Sequence, residues 1–148
     1  MQKDKSQSAP GKVEKLLSTF HLKYPIFQTP AGGPVGEALA IAVANAGGMG
    51  SLVMTWNSAK EAKRKAKLMN EATKGNYFFN YVLHFEPKSL DTALEAGVPI
   101  VQFSFGVPGR EMVSKVKAAG CRLGIQVTSK INALGPGKKP RLSYLSGH

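Results

Sequence analysis

The chain has 148 residues, with 20 Lys and Arg against 9 Asp and Glu and a formal net charge of +11. Hydrophobic residues make up 43% of it, which excludes wholesale disorder, and its single cysteine excludes a disulfide framework and a multi-cysteine metal site. No apolar run reaches the roughly 18 residues of a membrane span, and the amino terminus is polar. We therefore expect a cytoplasmic globular protein without a membrane partner.

Most of the excess positive charge lies at the two ends of the sequence. Residues 1–24 hold five basic and two acidic side chains, and residues 130–148 hold four basic and no acidic ones. Between them, the densest basic cluster has helical spacing and no interleaved aromatic residue; it consists of Lys60, Lys63, Arg64, Lys65 and Lys67. Because nucleic-acid sites combine basic residues with aromatic ones, we interpret this cluster as a solvated helix face and expect no nucleic-acid partner.

The predicted elements alternate between short apolar strands and longer helices. A polar leader is followed by a short amphipathic helix over 13–20, where apolar residues recur at helical spacing. Five strands are predicted at 25–28, 50–54, 76–83, 99–105 and 122–127. The helices between them are predicted at 36–46, 58–73, 89–96 and 108–119, with Ser58 as the amino-terminal cap of the second. Repeated βα units of this kind predict an α/β fold with a parallel sheet covered by helices.

These elements divide the chain into three parts. Residues 1–23 form a leader and a short helix, residues 24–129 form the α/β domain, and residues 130–148 form a basic tail. The tail has three glycines, two prolines and no apolar periodicity, so it is predicted to be irregular.

The number of strands alone leaves two architectures open. A doubly wound open sheet would place a dinucleotide at Gly32, Gly33 and Gly36, but their spacing differs from G-x-G-x-x-G, and the next strand lacks a terminal acidic residue. A flavodoxin-like sheet also fits five strands. A (β/α)8 TIM barrel would instead carry its chemistry on the loops at the carboxyl ends of the strands. Those loops here hold a Gly/Pro turn, a tryptophan, an asparagine and a histidine.

Several sequence blocks in the right order resemble the nitronate monooxygenase family, also called 2-nitropropane dioxygenases. Residues 24–30 (YPIFQTP) are similar to the family's Y-P-I-I-Q-A-P-M, and residues 39–52 (LAIAVANAGGMGSL) to its L-A-A-A-V-S-N-A-G-G-L-G. Phe79-Asn80 and residues 96–106 (AGVPIVQFSFG) are similar to its third and fourth strands. The resemblance runs from 24 to 129 and implies a partial (β/α)8 barrel with about five of its eight strands.

The resemblance also implies FMN as cofactor and a set of residues that contact it: Thr29, Pro30, Ala31, Gly32 and Asn80. The residue types suit this role. Gly32 has no Cβ, so its backbone can approach a flat ring, and Asn80 offers a donor and an acceptor together. Ala31 stands where the family usually has methionine, which predicts weaker contact with the flavin at this edge. No residue is assigned to catalysis or to metal binding.

The implied activity is FMN-dependent oxidation of nitronates or nitroalkanes with O2. An enoyl-ACP reductase-like flavoprotein and a non-catalytic basic binding module are the alternatives. The family's Q-G-x-E-A-G-G-H segment, which bears the catalytic histidine, does not occur in these 148 residues, nor do its phosphate-binding loops. We therefore expect the chain by itself to be inactive, and we expect self-association through the open edges of its first and fifth strands.

Some residues are interpreted as structural. Gly47, Gly48 and Gly50 are expected to end a helix and allow close packing rather than contact a cofactor. Phe103 and Phe105 are interpreted as packing residues, and His84 as a structural histidine without a partner. Cys121 is expected to be a small buried hydrophobic residue.

Overall fold

A computed structural model describes residues 11–128, which form an α/β structure with four parallel strands. The strands are β1 (Gly50–Val53), β2 (Tyr77–Val82), β3 (Ile100–Ser104) and β4 (Arg122–Ile125). The helices are α1 (Lys12–Phe20), α2 (Pro34–Ala46), α3 (Ala59–Ala72), α4 (Leu90–Glu95) and α5 (Arg110–Ala118). Each agrees with a predicted element to within two residues at either end. Residues 1–10 and the predicted tail lie outside the described residues.

The sheet order decides between the two architectures. The strands lie side by side in chain order, β1-β2-β3-β4, and each neighbouring pair is parallel. A doubly wound sheet reverses its strand order at a switch point, whereas a TIM barrel adds parallel strands in sequence. The predicted partial barrel is therefore confirmed. Within residues 11–128, no strand pairs with the second edge of β4, and the expected self-association stays a prediction.

The prediction of a regular strand at 25–28 is wrong. This segment runs parallel to β1 but makes only isolated bridges, Phe27 with Met49 and Ala31 with Leu52. Proline is the physical reason, because Pro30 has no N–H to donate to the carbonyl of Ser51. The side-chain Nε2 of Gln28 donates to that carbonyl instead, at 3.2 Å, so a side chain completes the pairing that the backbone cannot.

Local sequence explains where the helices begin and end. The N–H of Glu61 donates to the Ser58 hydroxyl at 3.2 Å, as predicted for the cap of α3. Helix α2 begins two residues earlier than predicted, because Pro34 is tolerated in the first turn, where a backbone N–H has no helical partner. It ends at Gly47, whose φ of 100° confirms the predicted glycine stop.

The strand register separates the sheet into two faces. Odd-numbered residues of β2 and β3, such as Phe79 and Phe103, are fully buried in the core together with residues of the helices. Phe103 is thus a packing residue, as predicted. Even-numbered residues point to the other face, which is the inside of a closed barrel. Its layers follow from the register: Ser51, Phe78, Ile100 and Arg122 form one, and Val53, Asn80, Gln102 and Gly124 form the next.

Helix α1 closes the amino-terminal end of this inner face. Phe20 at its last turn packs in a second apolar cluster with Met49, Phe78 and Ile100. Arg122 fixes the helix, since its guanidinium donates to the carbonyl of Thr19 at 2.7 Å and lies 5.4 Å from the centre of the Phe20 ring. The amino-terminal end of the inner face is therefore closed by α1 and this apolar cluster, with Ser51 and Arg122 in the same layer. Asn80 and Gln102 lie one layer further along the strands.

The basic cluster on α3 is not uniformly solvated. Lys65 is buried, with its Nζ 3.8 Å from a carboxylate oxygen of Glu37 on α2, which corrects the prediction for this residue. Arg64 donates to both oxygens of Glu37 and also bonds Glu61. The Arg64 guanidinium holds the pKa of the Glu37 carboxyl below its ordinary value. These two cations join α3 to α2, so only part of the cluster faces solvent.

No helix among residues 11–128 is long and apolar enough to cross a membrane. Within the same range, no group of three or more histidine, cysteine or acidic side chains is arranged to hold a metal ion. The cytoplasmic location stays a prediction.

Cys121 lies in the main core, as predicted, and its thiol is expected to be unreactive in the folded chain. Burial raises the pKa of this thiol from 9.0 to about 12, so almost no thiolate is present near neutral pH. Because the folded pKa is the higher one, the contribution of the thiol to stability is complete below about pH 9 and is lost as pH rises towards 12. We expect a disulfide reagent to label Cys121 rapidly only in denaturant, and chemical unfolding to require less urea above pH 9. Rapid labelling without denaturant would contradict this.

Candidate functional site

The carboxyl ends of the four strands converge and are linked by hydrogen bonds between neighbouring segments. The N–H of Val82 donates to the Thr55 hydroxyl at 2.9 Å, which joins the ends of β1 and β2. The N–H of Leu83 donates to the carbonyl of Ser104 at 2.9 Å, and that of Gln126 to the carbonyl of Phe103 at 2.8 Å. These bonds hold the loops after β1, β2, β3 and β4 in one continuous surface.

The loop that holds four of the predicted site residues lies beside the end of β1. Ala31 accepts a hydrogen bond from the N–H of Val53 at 3.3 Å, while Thr29 is exposed and Pro30 is half-buried. A Cβ built on Gly32 would meet no atom within 4 Å, so the loop borders open space at this residue. The loop is thus accessible to a ligand from the side that Gly32 faces.

Asn80 lies on the inner face of β2, one strand away from this loop. Its backbone register partner is Val53, the residue that bonds Ala31 on its other side. Asn80 is buried, and its Nδ2 donates to Gln102 Oε1 at 3.2 Å and to Ser104 Oγ at 3.3 Å. These distances lie at or beyond the long end of the usual range, so the bonds are weak and can be exchanged for bonds to a ligand. The structure therefore brings Asn80 and the predicted loop to the same end of the sheet.

The sequence prediction missed Gln102 and Ser104, which complete a polar group with Asn80. All three side chains lie on the inner face, since Asn80 pairs with Gln102 and Val82 with Ser104 in the parallel register. The signal is present in residues 101–105, where polar and apolar residues alternate as expected for a strand with two different faces. The apolar residues of this pattern indicate packing, and the polar ones between them mark the second, inner face.

At this end the packing role predicted for Phe105 is wrong, whereas the structural role predicted for His84 stays a prediction. His84 is exposed, and its ring meets that of Phe85 edge to face with centroids 5.2 Å apart. The rings of Phe85 and Trp56 also meet edge to face, with centroids 5.6 Å apart. Trp56 is nevertheless 70% exposed to solvent. We name Trp56, His84 and Phe85 the aromatic rim. Phe105 is 78% exposed and does not pack, because the strand ends at Ser104 and the alternation of faces stops there.

Phe105 also carries backbone strain, with a φ of 54°. The next residue, Gly106, lies close to Leu83, since a Cβ built on the glycine would lie 3.0 Å from the Leu83 Cβ. A bulky residue in the left-handed conformation lowers the stability of the folded chain by about 1 kcal/mol. We expect Phe105→Asn to raise the free energy of unfolding by up to about 1 kcal/mol in urea titrations, since asparagine adopts positive φ more readily. Phe85→Asn is the control, and an equal gain there would contradict the strain argument.

The loops at this end carry no charged side chain close to the strands. Residues 29–33, 53–57, 82–85, 104–108 and 126–128 contain no Asp, Glu, Lys or Arg, and His84 is their one titratable residue. A cavity of about 370 Å³ lies further out between α4 and α5, lined by charged residues such as Glu86, Asp91 and Lys115. It contains none of the predicted site residues. The candidate site is therefore the uncharged surface formed by the strand ends.

Comparison with known proteins agrees with the sheet order and with the sequence motifs that resemble nitronate monooxygenases. Residues 14–89, just over half of the chain, match the family described as nitronate monooxygenase. The chain belongs to the nitronate monooxygenase family. A nitronate monooxygenase of Paraburkholderia phytofirmans is 27% identical across 81% of this chain and 45% of that protein. A probable nitronate monooxygenase of Staphylococcus aureus is 21% identical across 81% of this chain and 44% of that protein.

Solved structures support the fold assignment. Nitroalkane oxidase from Streptomyces ansochromogenes matches with a TM-score of 0.60 and 25% identity, over 73% of this chain and 41% of that one. FabK from Thermotoga maritima matches with a TM-score of 0.68 and 21% identity, over 78% of this chain and 37% of that one. At 21% identity the second match shows the fold alone. The chain spans about half the length of the curated relatives it matches, or slightly less.

Proposed function

We propose that this chain forms the amino-terminal part of an FMN site in an oxidoreductase that oxidises nitronates or nitroalkanes with O2. The observation that carries the proposal is the position of Asn80. It is a buried polar side chain on the inner face of the sheet, one strand away from the open loop that contains Gly32, in a member of the nitronate monooxygenase family. Bound FMN would supply the electron transfer between the organic substrate and O2, while the protein binds and orients both.

The residues present fit a flavin ring. Such a ring has a polar edge, which requires donors and acceptors, and an apolar edge. On the inner face, Asn80 and Gln102 provide amide groups, and their shared bond uses Nδ2 of one and Oε1 of the other. This leaves each amide with bonding capacity for a ligand. At the loop, the absent Cβ of Gly32 leaves room for the backbone to approach a ring closely.

We assign the five predicted residues two tasks. Asn80 would donate to or accept from the polar edge of the ring, in exchange for its long bonds to Gln102 and Ser104. The loop of Thr29, Pro30, Ala31 and Gly32 would cover one side of the ring with backbone, and its position is fixed by the bond between Ala31 and Val53.

The test is a titration of the purified 148-residue chain with FMN. We expect saturable binding of one FMN per chain, measured by the change in flavin absorbance and fluorescence. We also expect no turnover of alkyl nitronates by this chain, since the sequence contains no Q-G-x-E-A-G-G-H segment. Flavin absorbance and fluorescence that stay those of free FMN at all protein concentrations would contradict the FMN site. Nitronate oxidation faster than that by free FMN would contradict the expected inactivity.

A further inference from the structure

We propose that the cavity between α4 and α5 binds residues 138–141 (KKPR) of this chain's own basic tail. The interaction lies within the chain and does not depend on the proposed FMN site. Three observations carry the inference: the carboxylates that line the cavity, the charge of the tail, and the distance from the end of β4 to the cavity.

The cavity of about 370 Å³ has an apolar floor and charged walls. Leu90 of α4 is buried, and Pro87 and Met112 beside the cavity are half-buried, so these side chains form its floor. Glu86, on the loop after β2, and Glu111, in the first turn of α5, line it from two different segments, and both are exposed. A ligand in the cavity would therefore contact both carboxylates and an apolar surface.

Most carboxylates in the described part of the chain already have a partner. Five of the eight contact a cation or a backbone N–H, namely Glu14, Glu37, Glu61, Glu71 and Asp91. Glu86, Glu95 and Glu111 form no ion pair with another residue of 11–128, and two of these three line the cavity. Of the two lysines at the cavity, Lys115 is paired with Asp91 at 3.2 Å, and only Lys88 remains. The unpaired charge of the cavity is therefore negative.

The tail supplies the complementary charge. Residues 130–148 hold four basic and no acidic side chains, and three of the four lie within 138–141. Residues 11–128 carry 14 Lys and Arg against 8 Asp and Glu, so most of the described surface repels a basic segment. Leu142 follows the basic residues directly and could cover part of the apolar floor of the cavity. The cavity thus fits this segment in both charge and polarity.

The tail leaves the sheet at the end where the cavity lies. The N–H of Gln126 donates to the carbonyl of Phe103 at 2.8 Å, so the carboxyl ends of β4 and β3 are side by side. Glu86 follows β2 by four residues, and α5 begins six residues after β3, at the same end of the sheet. The path from Thr128 crosses the first turn of α5, about one helix diameter or ~10 Å. Residues 129–137 can span up to about 30 Å when extended, so residues 138–141 reach the cavity.

The first test is carbodiimide cross-linking of the unmodified 148-residue chain, which joins a lysine amine directly to a carboxylate, followed by mass spectrometry. We expect cross-links from Lys138 or Lys139 to Glu86 or Glu111. The experiment is repeated on a mixture of 15N-labelled and unlabelled chains, where we expect each link to lie within one chain. Links between labelled and unlabelled chains would overturn the proposal, because the occupant would then be the tail of a second copy. The absence of any link from the tail to the cavity would overturn it as well.

The second test is the rate at which trypsin cleaves the tail after Arg141. In the double variant Glu86→Gln, Glu111→Gln we expect cleavage about fivefold to tenfold faster at low salt, as the loss of two exposed ion pairs predicts. The difference should vanish in about 0.5 M NaCl, since salt screens exposed charges. Glu95→Gln is the matched control, because Glu95 is also exposed and unpaired among the described residues but does not line the cavity. It is expected to keep the rate of the unmodified chain.

Equal cleavage rates in the double variant, the control and the unmodified chain would overturn the proposal. So would a difference that persists in high salt, because the effect would then not be ionic. All three substituted carboxylates are exposed, so the variants are expected to fold, and circular dichroism checks this. FMN titration of the same variants is expected to give unchanged affinity, which keeps this proposal separate from the proposed function.

Discussion

Gly50→Ala is expected to destabilise the chain by about 3 kcal/mol, a large effect for the addition of a single methyl group. Gly50 begins β1 and faces α2. A Cβ built on it would collide with the carbonyl oxygen of Ala40 and would lie 3.1 Å and 3.3 Å from the carbonyl carbon and Cα of the same residue. These are backbone atoms in the middle of a helix, so no side-chain rotation relieves the collision. Helix and strand would have to move apart.

The measurement is the free energy of unfolding from urea titration, followed by circular dichroism. Gly124→Ala is a matched control in β4, because a Cβ there would make ordinary contacts at 3.4 Å with the Gln102 side chain. We expect the free energy of unfolding of Gly124→Ala to stay within about 1 kcal/mol of that of the unmodified chain. Similar stability of the two variants would mean that α2 and β1 do not pack as closely as the structure shows.

Asn80→Leu is expected to reduce FMN affinity by about tenfold to a hundredfold, which corresponds to one or two hydrogen bonds lost to the flavin. Leucine has a similar size but neither a donor nor an acceptor. The unliganded chain should also lose about 1–2 kcal/mol of stability, because the bonds from Asn80 to Gln102 and Ser104 disappear. FMN titration gives the first quantity and urea unfolding the second.

Asn70→Leu separates these two effects. Asn70 also makes two side-chain bonds, donating to the carbonyl of Ala96 at 3.0 Å and accepting from the Tyr77 hydroxyl at 2.7 Å, but it lies on the helix side of the sheet. We expect a comparable loss of stability with no loss of FMN affinity beyond the fraction of unfolded chain. Equal loss of FMN affinity in both variants would show that the effect of Asn80 is only structural.

The elements of this fold are predictable because their signals are local. Ser58 caps α3 through a bond to a residue three positions away, and Gly47 ends α2 with a positive φ. The segment at 25–28 is less predictable. Its apolar residues have the composition of a strand, but whether a ladder forms depends on which donors face β1, and Pro30 supplies none. Only the tertiary fold brings β1 next to this segment.

The candidate site is predictable in part for the same reason. Asn80 and the loop at Gly32 belong to motifs that can be recognised along the chain. The partnership of Asn80 with Gln102 depends on the register between two strands separated by a whole helix, which no local pattern gives. The packing role predicted for Phe105 fails because strand alternation does not extend past Ser104, where β3 ends.

The sequence by itself determined the repeated βα units, the family and the residues of its opening motifs, because each depends on composition and spacing over short distances. It also located much of the net charge of +11 at the two ends of the sequence. Only the tertiary structure decided that the strands follow one another in order, that Asn80, Gln102 and Ser104 share one face, and that Trp56 and Phe85 form an exposed rim. Those properties arise from parallel register and from the point at which each strand ends, and both are set by packing between distant segments.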